Sequence, residues 1–94
     1  MTERATATVL IENDRVRVSR GDFAPGAATG WHRHDYDYVV VPLIDGTLKL
    51  VEADGDRDSA LETGAPYFRE AGVEHDVVNA NDYEFAFIEI EMKR

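Results

Sequence analysis

The chain of 94 residues carries 19 acidic and 10 basic side chains, with a formal net charge of −9, and its length predicts one domain over residues 1–94. This negative charge excludes phosphate backbones and anionic lipid surfaces as favoured partners, so we expect neither nucleic acid nor membrane binding. Cysteine is absent, which excludes disulfides, thiolate metal sites and cysteine nucleophiles. The first residues lack the apolar core of a secretion signal or a membrane span, so we expect a cytoplasmic protein.

In chain order, short runs rich in β-branched and aromatic residues alternate with turn residues. The runs are TATVLIE (6–12), RVRVSRGDF (15–23), WHRH (31–34), YVVVPLI (38–44), TLKLVEA (47–53), SALETG (59–64), APYFRE (65–70), GVEHDVVN (72–79) and YEFAFIEIEM (83–92). Asp-Gly pairs at 45–46 and 54–55 predict hairpin turns. Because no window keeps a helical period, we predict an all-β fold, an antiparallel barrel or jelly roll of six to eight strands that is open at one end.

The three histidines of the chain are its candidate metal ligands. His32 and His34 lie two residues apart on a predicted strand, so both imidazoles should point to the same face. Imidazole is the commonest protein ligand for transition metals, although such a pair alone is more often structural or exposed. A site needs a third ligand, and His75 in the run 72–79 is the histidine left to supply it. Three converging imidazoles would leave coordination positions open for water or substrate.

The spacing of these histidines resembles the two sequence motifs of the cupin superfamily. The first motif is Gly, five residues, His-x-His, three or four residues, Glu, six residues and Gly. The second is Gly, five residues, Pro, one residue, Gly, two residues, His, three residues and Asn. The matching positions, within residues 26–46 and 64–79, are Gly26, His32, His34, Gly46, Gly64, Gly72, His75 and Asn79, with Glu70 at the proline position.

The resemblance covers roughly residues 20–92 and implies a cupin-type antiparallel β-barrel, also described as a double-stranded β-helix. Residues 30–50 and 66–91 further resemble the small cupins of the BauB family, which is named for beta-alanine degradation. The superfamily implies a divalent transition metal (iron, zinc, nickel or manganese) held by His32, His34 and His75. Three-histidine iron sites in cupins resemble those of thiol dioxygenases, so the resemblance implies a metal-dependent dioxygenase or related oxidoreductase.

One position departs from the superfamily pattern. The usual cupin site adds one glutamate to three histidines, and here that position is Val39, or Tyr38 if the spacer has three residues. Valine cannot bind a metal, and a tyrosine must first lose a proton whose ordinary pKa is about 10. Asp37 would replace the glutamate if a bulge turned its carboxylate inward. Without these, three histidines and water hold the metal.

Two tyrosines are the candidate catalytic residues. Tyr38 would hydrogen-bond a substrate at the cavity mouth, or else serve as a rim aromatic. Of Tyr67 and Phe68, one should face the cavity, and Tyr67 is the preferred choice. Trp31 is expected on the outer surface, opposite the histidines. Glu89 is interpreted as an exposed or paired glutamate rather than as a residue that orients a ligand imidazole.

Two functions fit these patterns. An open three-histidine site favours a metal-dependent enzyme acting on a small molecule. The missing glutamate and the lack of an obvious acid or base favour a non-enzymatic small-molecule binding or sensing protein, with a structural or absent metal. The runs 39–41 and 83–92 are apolar on both faces, which predicts a homodimer because a second subunit would cover the outer face.

Overall fold

The computed structural model describes residues 3–93, which form nine β-strands and no helix, so no helix there could span a membrane. The strands are β1 (Thr6–Glu12), β2 (Val16–Phe23), β3 (His32–Arg33), β4 (Asp37–Pro42), β5 (Gly46–Glu52), β6 (Gly55–Leu61), β7 (Tyr67–Arg69), β8 (Glu74–Asn79) and β9 (Phe85–Met92). All pairings between these strands are antiparallel. The all-β prediction is confirmed, with one strand more than expected because β3 and β7 are separate short strands.

The nine strands form two sheets with the apolar core between them. One sheet has the order β1-β2-β9-β4-β7 and the other the order β3-β8-β5-β6. Their inner faces bury a cluster of apolar side chains that includes Phe23, Leu48, Leu50, Leu61, Val77 and Phe85. Four of these, Phe23, Leu48, Leu50 and Val77, also line a cavity of about 430 Å³ between the sheets. The hydrophobic core therefore continues directly into the cavity floor.

The two Asp-Gly pairs have different roles. The pair at 54–55 lies in the β5–β6 hairpin, in which Glu52 pairs with Gly55, as predicted. The hairpin predicted at 45–46 is wrong, because β4 and β5 belong to different sheets. Gly46 also lacks the positive φ angle expected for a turn glycine. A Cβ at Gly46 would lie 2.8 Å from Asn81 Nδ2 and 2.9 Å from Phe85 Cδ1, so this glycine is required by close packing.

Asn79 fixes the end of β8, the strand that carries His75. Its buried side-chain amide donates to the carbonyl oxygens of Phe23, Ala24 and Tyr83 at 3.3, 3.2 and 2.9 Å. Its side-chain oxygen accepts a hydrogen bond of 2.9 Å from the Asn81 backbone. A buried amide needs a partner for each of its polar atoms. The partners of Asn79 lie at the end of β2 and just before β9, so the amide connects these strands to β8.

We expect Gly46→Ala to lower the free energy of unfolding by about 2 kcal/mol, because the methyl group would overlap the packed Asn81 and Phe85 side chains. Urea denaturation followed by circular dichroism measures this change. Gly64→Asn is the control, since Gly64 has a φ of 75° and open space around its Cβ position. Asparagine tolerates that backbone conformation, so the control should lose under about 1 kcal/mol. A larger loss in the control than in Gly46→Ala would contradict the packing role.

Candidate metal centre

Three imidazoles converge on one wall of the cavity. His32 on β3 pairs directly with His75 on β8, and His34 follows the end of β3. The Nε2 atom of His34 lies 3.1 Å from Nε2 of His32 and 3.2 Å from Nε2 of His75. Ligand atoms about 2.0–2.1 Å from a metal, at octahedral to tetrahedral angles, stand about 2.9–3.4 Å apart. Both measured Nε2 separations therefore fit a single metal ion, and the three imidazoles offer ligand atoms within 4.8 Å of one another.

The environment keeps two of these imidazoles neutral. His34 and His75 are buried, and burial, followed by the charge of His32, lowers the pKa of each to about 4. A neutral imidazole offers a nitrogen lone pair at neutral pH, which metal binding needs. The electrostatics of the site thus favour ligation without prior proton loss.

A hydrogen-bond chain orients His32. Its Nδ1 donates to the carbonyl oxygen of Gly30 at 2.8 Å, which leaves the Nε2 lone pair directed at the cluster. The Gly30 backbone N–H donates to the Asp76 carboxylate at 2.9 Å. Thr29 Oγ1 lies 3.2 Å from the same Nδ1 and accepts from the Val77 backbone at 3.1 Å. Sequence reasoning missed Thr29 and Asp76, whose role depends on a contact across 46 residues of chain.

His34 and His75 differ in how they are held: backbone hydrogen bonds fix His34, whereas one ring nitrogen of His75 has no partner in the described part of the chain. His34 donates its backbone N–H to Val73 at 2.9 Å and accepts from Gly72 at 2.8 Å, which ties it to the loop before β8. His75 Nδ1 is buried without a hydrogen-bond partner within residues 3–93. If Nε2 of His75 binds a metal, Nδ1 carries the ring proton, and this donor lacks, among the described residues, the partner that most metal-bound histidines have. An unsatisfied buried donor costs about 1–3 kcal/mol.

The structure decides between the two possible glutamate positions on β4. Tyr38 and Val40 line the cavity, whereas Val39 between them faces outward, so Tyr38 occupies the inward position. The Tyr38 ring stacks on His34 with centroids 3.9 Å apart and an interplanar angle of 19°. Burial raises the pKa of the Tyr38 phenol, which keeps it protonated. Asp37 is exposed and accepts a hydrogen bond from Ala71, so the alternative of an inward-turned Asp37 is wrong.

Two glutamates of β9 reach the cavity instead. Glu89 Oε1 lies 3.9 Å from His34 Nε2, and its side chain is 20% exposed. Burial, followed by the charge of Glu91, raises the pKa of Glu89 to about 7. Of the two states expected for Glu89, exposed or paired, the structure shows the paired one, through the contact with His34. Side-chain alternation along β9 puts Glu89 and Glu91 on the same face as Phe87, which lines the cavity.

The remaining candidates take separate places. Tyr67 lines the cavity, and burial raises the pKa of its phenol, whereas Phe68 is 54% exposed. Trp31 is 52% exposed, on the outer surface as expected. Arg69 pairs with Glu52 of the opposite sheet at 3.4 Å. Among the predicted catalytic and metal residues, the structure brings together the three histidines and Tyr38 and places Tyr67 on the same cavity.

Comparison with known proteins identifies the family of the fold. The profile of the cupin domain family matches residues 19–91. The beta-alanine degradation protein BauB of Pseudomonas aeruginosa is 54% identical over 90 residues, covering 96% of this chain and 95% of that protein. The crystal structure of a cupin domain from Bordetella pertussis superposes with a TM-score of 0.98 at 49% identity, covering 100% of this chain and 98% of that one.

A more distant structure shares the fold alone. The polyketide cyclase RemF of Streptomyces resistomycificus has a TM-score of 0.75 at 21% identity, covering 99% of this chain and 70% of that one. The family profile covers most of the chain, the relative at 54% identity covers nearly all of it, and the paired antiparallel sheets agree with both. The chain belongs to the cupin family.

Proposed function

We propose that the chain is a metal-dependent enzyme acting on a small molecule, in which His32, His34 and His75 hold a divalent transition metal. The observation that carries this proposal is the convergence of three Nε2 atoms on the wall of an open cavity. A metal bound there supplies Lewis acidity or, if it is iron, redox chemistry with dioxygen. We therefore propose a dioxygenase or a related oxidoreductase as the reaction class.

The chain's own residues would bind and orient the substrate. Leu48, Leu50 and Phe87 give the cavity an apolar wall that excludes water from a bound molecule. The phenols of Tyr38 and Tyr67 stay protonated at neutral pH, because burial raises the pKa of each. A protonated phenol can donate a hydrogen bond to a substrate oxygen or carboxylate, which supports the catalytic assignment of both tyrosines.

An acidic group beside the imidazoles favours an enzyme over a non-enzymatic binding protein. The absence of such a group in the sequence motif was the main argument for a binding or sensing role. The Glu89 carboxyl, 3.9 Å from His34, supplies it. A binding role with a structural or absent metal is thus the second candidate, and substrate turnover separates the two.

The similarity to BauB supports a link to beta-alanine catabolism. That protein's name refers to beta-alanine degradation, and it covers 96% of this chain. A cavity of about 430 Å³ accommodates a substrate of amino-acid size. We propose a small amino acid, or a thiol related to one, as the substrate class, and a cytoplasmic site of action stays a prediction.

A homodimer is the proposed assembly. The outer face of the five-stranded sheet carries one row of apolar side chains in direct register, with Ile11, Val18, Ile90, Val39 and Phe68 each from a different strand. The two ends of the row, Ile11 and Phe68, are 52% and 54% exposed. A contiguous apolar stripe across a whole sheet supports contact with a second copy.

Protein purified without an affinity tag should contain about one transition metal ion per chain, measured by elemental analysis. His34→Ala should lose most of it, because two imidazoles form a much weaker site than three. Trp31→Ala is the matched control, since its exposed side chain lies outside the cavity, and it should keep the metal. Full metal content in His34→Ala would contradict metal binding by the three histidines.

Iron-loaded protein should consume dioxygen when small thiols and amino acids are supplied, whereas metal-free protein should not. Tyr67→Phe should lower kcat/KM about 5-fold, because one neutral hydrogen bond contributes about 1 kcal/mol. An oxygen electrode measures both effects. The enzyme proposal fails if no substrate raises uptake and metal removal leaves ligand affinity unchanged. That combination would favour the binding protein.

Light scattering after size exclusion should give the mass of two chains for the wild type. Phe68→Glu should shift the mass towards one chain, because a charge would be buried in the apolar interface. Ile44→Glu, an exposed position away from the row, should leave the mass unchanged. Equal masses for both variants would contradict an interface on this face.

A further inference from the structure

The geometry points to Glu89 as the fourth protein ligand of the metal, so that β9 supplies the carboxylate that is missing from β4. This inference rests on the proposed function, because it requires a metal ion at the three histidines. It goes beyond the histidine cluster in assigning the ligand to a strand outside both sequence motifs. Three features of the site carry it.

The first feature is the occupied position on β4. Its inward residue next to the histidines is Tyr38, whose ring lies flat against His34 with centroids 3.9 Å apart. The ring covers the face of the imidazole and not the edge that carries Nε2. A carboxylate that completes the site must therefore come from another strand.

The second feature is the register of β9 against β4. Glu89 pairs with Val40, so the two inward side chains lie side by side on adjacent strands. Glu89 Oε1 is 3.9 Å from His34 Nε2, slightly beyond the spacing of about 2.9–3.4 Å for two ligands of one metal. The three histidines and the pair Glu89 and Glu91 form two groups of possible ligands that share His34, so ligation requires a side-chain rotation that brings the Glu89 carboxylate closer to His32 and His75.

The direction of approach excludes an orienting role. A carboxylate that orients a metal-bound imidazole contacts the ring nitrogen that does not bind the metal. Glu89 instead approaches Nε2 of His34, which is the atom that converges with Nε2 of His32 and of His75. The carboxylate therefore lies on the metal side of the cluster.

The third feature is that no lysine or arginine that the structure describes pairs directly with Glu89. Its only ion-pair contact within residues 3–93 is to the imidazole of His34. A partly buried carboxylate without a paired cation is unfavourable, and a divalent metal would supply the missing charge. Glu91, two residues along the same face, already pairs with Arg17 at 3.4 Å. This difference assigns ligation to Glu89 and makes Glu91 its natural control.

The experiment compares Glu89→Gln with Glu91→Gln in the full chain, using cobalt(II) as the probe. Each variant replaces one carboxylate on the same face of β9 with an amide of the same shape. Competition with a chelator measures affinity, and the visible absorption of cobalt(II) reports its ligand set. Glu89→Gln should weaken binding roughly 100-fold and change the spectrum, whereas Glu91→Gln should change affinity only about 3-fold and keep the spectrum.

Circular dichroism checks that both variants fold, which we expect because glutamine keeps the size and shape of each glutamate side chain. Wild-type affinity and spectrum in Glu89→Gln would overturn the inference. An equal loss of affinity in both variants with unchanged spectra would do so too, since only charge would then matter. If the wild type binds no cobalt(II), zinc or iron at all, the proposed function itself is wrong. These outcomes separate the two failures.

Discussion

Because β3 is only two residues long, its pairing with β8 determines the whole site. That pairing sets His32 directly opposite His75, and the next residue but one, His34, closes the triangle from the loop. Shifting the register by one residue would turn His32 to the other face and separate the imidazoles. The loop bonds of His34 to Val73 and Gly72, and those of Asn79 at the far end of β8, fix this register from both sides.

The neutral state of His34 and His75 follows from the same packing. Burial of these two rings beside Leu50 and Val77 removes the water that would hydrate a charged imidazole. The fold thus shields imidazole nitrogen lone pairs from solvent, and these lone pairs have few hydrogen-bond donors within the described part of the protein. Residues far along the chain, among them Thr29 and Asp76, maintain the orientation.

Local patterns in the sequence predicted the strands, the hairpin at 54–55 and the convergence of the three histidines. Side-chain alternation and motif spacing are properties of neighbouring residues. Three features could not be predicted from the sequence, because they depend on contacts between residues that are distant along the chain. The role of Gly46 depends on Asn81 and Phe85, which pack against it although they lie 35 and 39 residues further along the chain. The inward position of Tyr38 depends on where β4 enters the sheet. Glu89 became part of the site only through the adjacency of β4 and β9, which no local pattern encodes.

The separation of the histidines along the chain links metal binding to folding. His34 and His75 are 41 residues apart, so the unfolded chain holds them in one site only after closing a long loop, whereas the native chain presents them together. An ion that prefers the native chain stabilises it by RT ln(1 + [M]/Kd), less any affinity of the unfolded histidines. For a domain of 94 residues this linkage is a substantial share of total stability. Metal supply would then set the lifetime of the folded protein in addition to its chemistry.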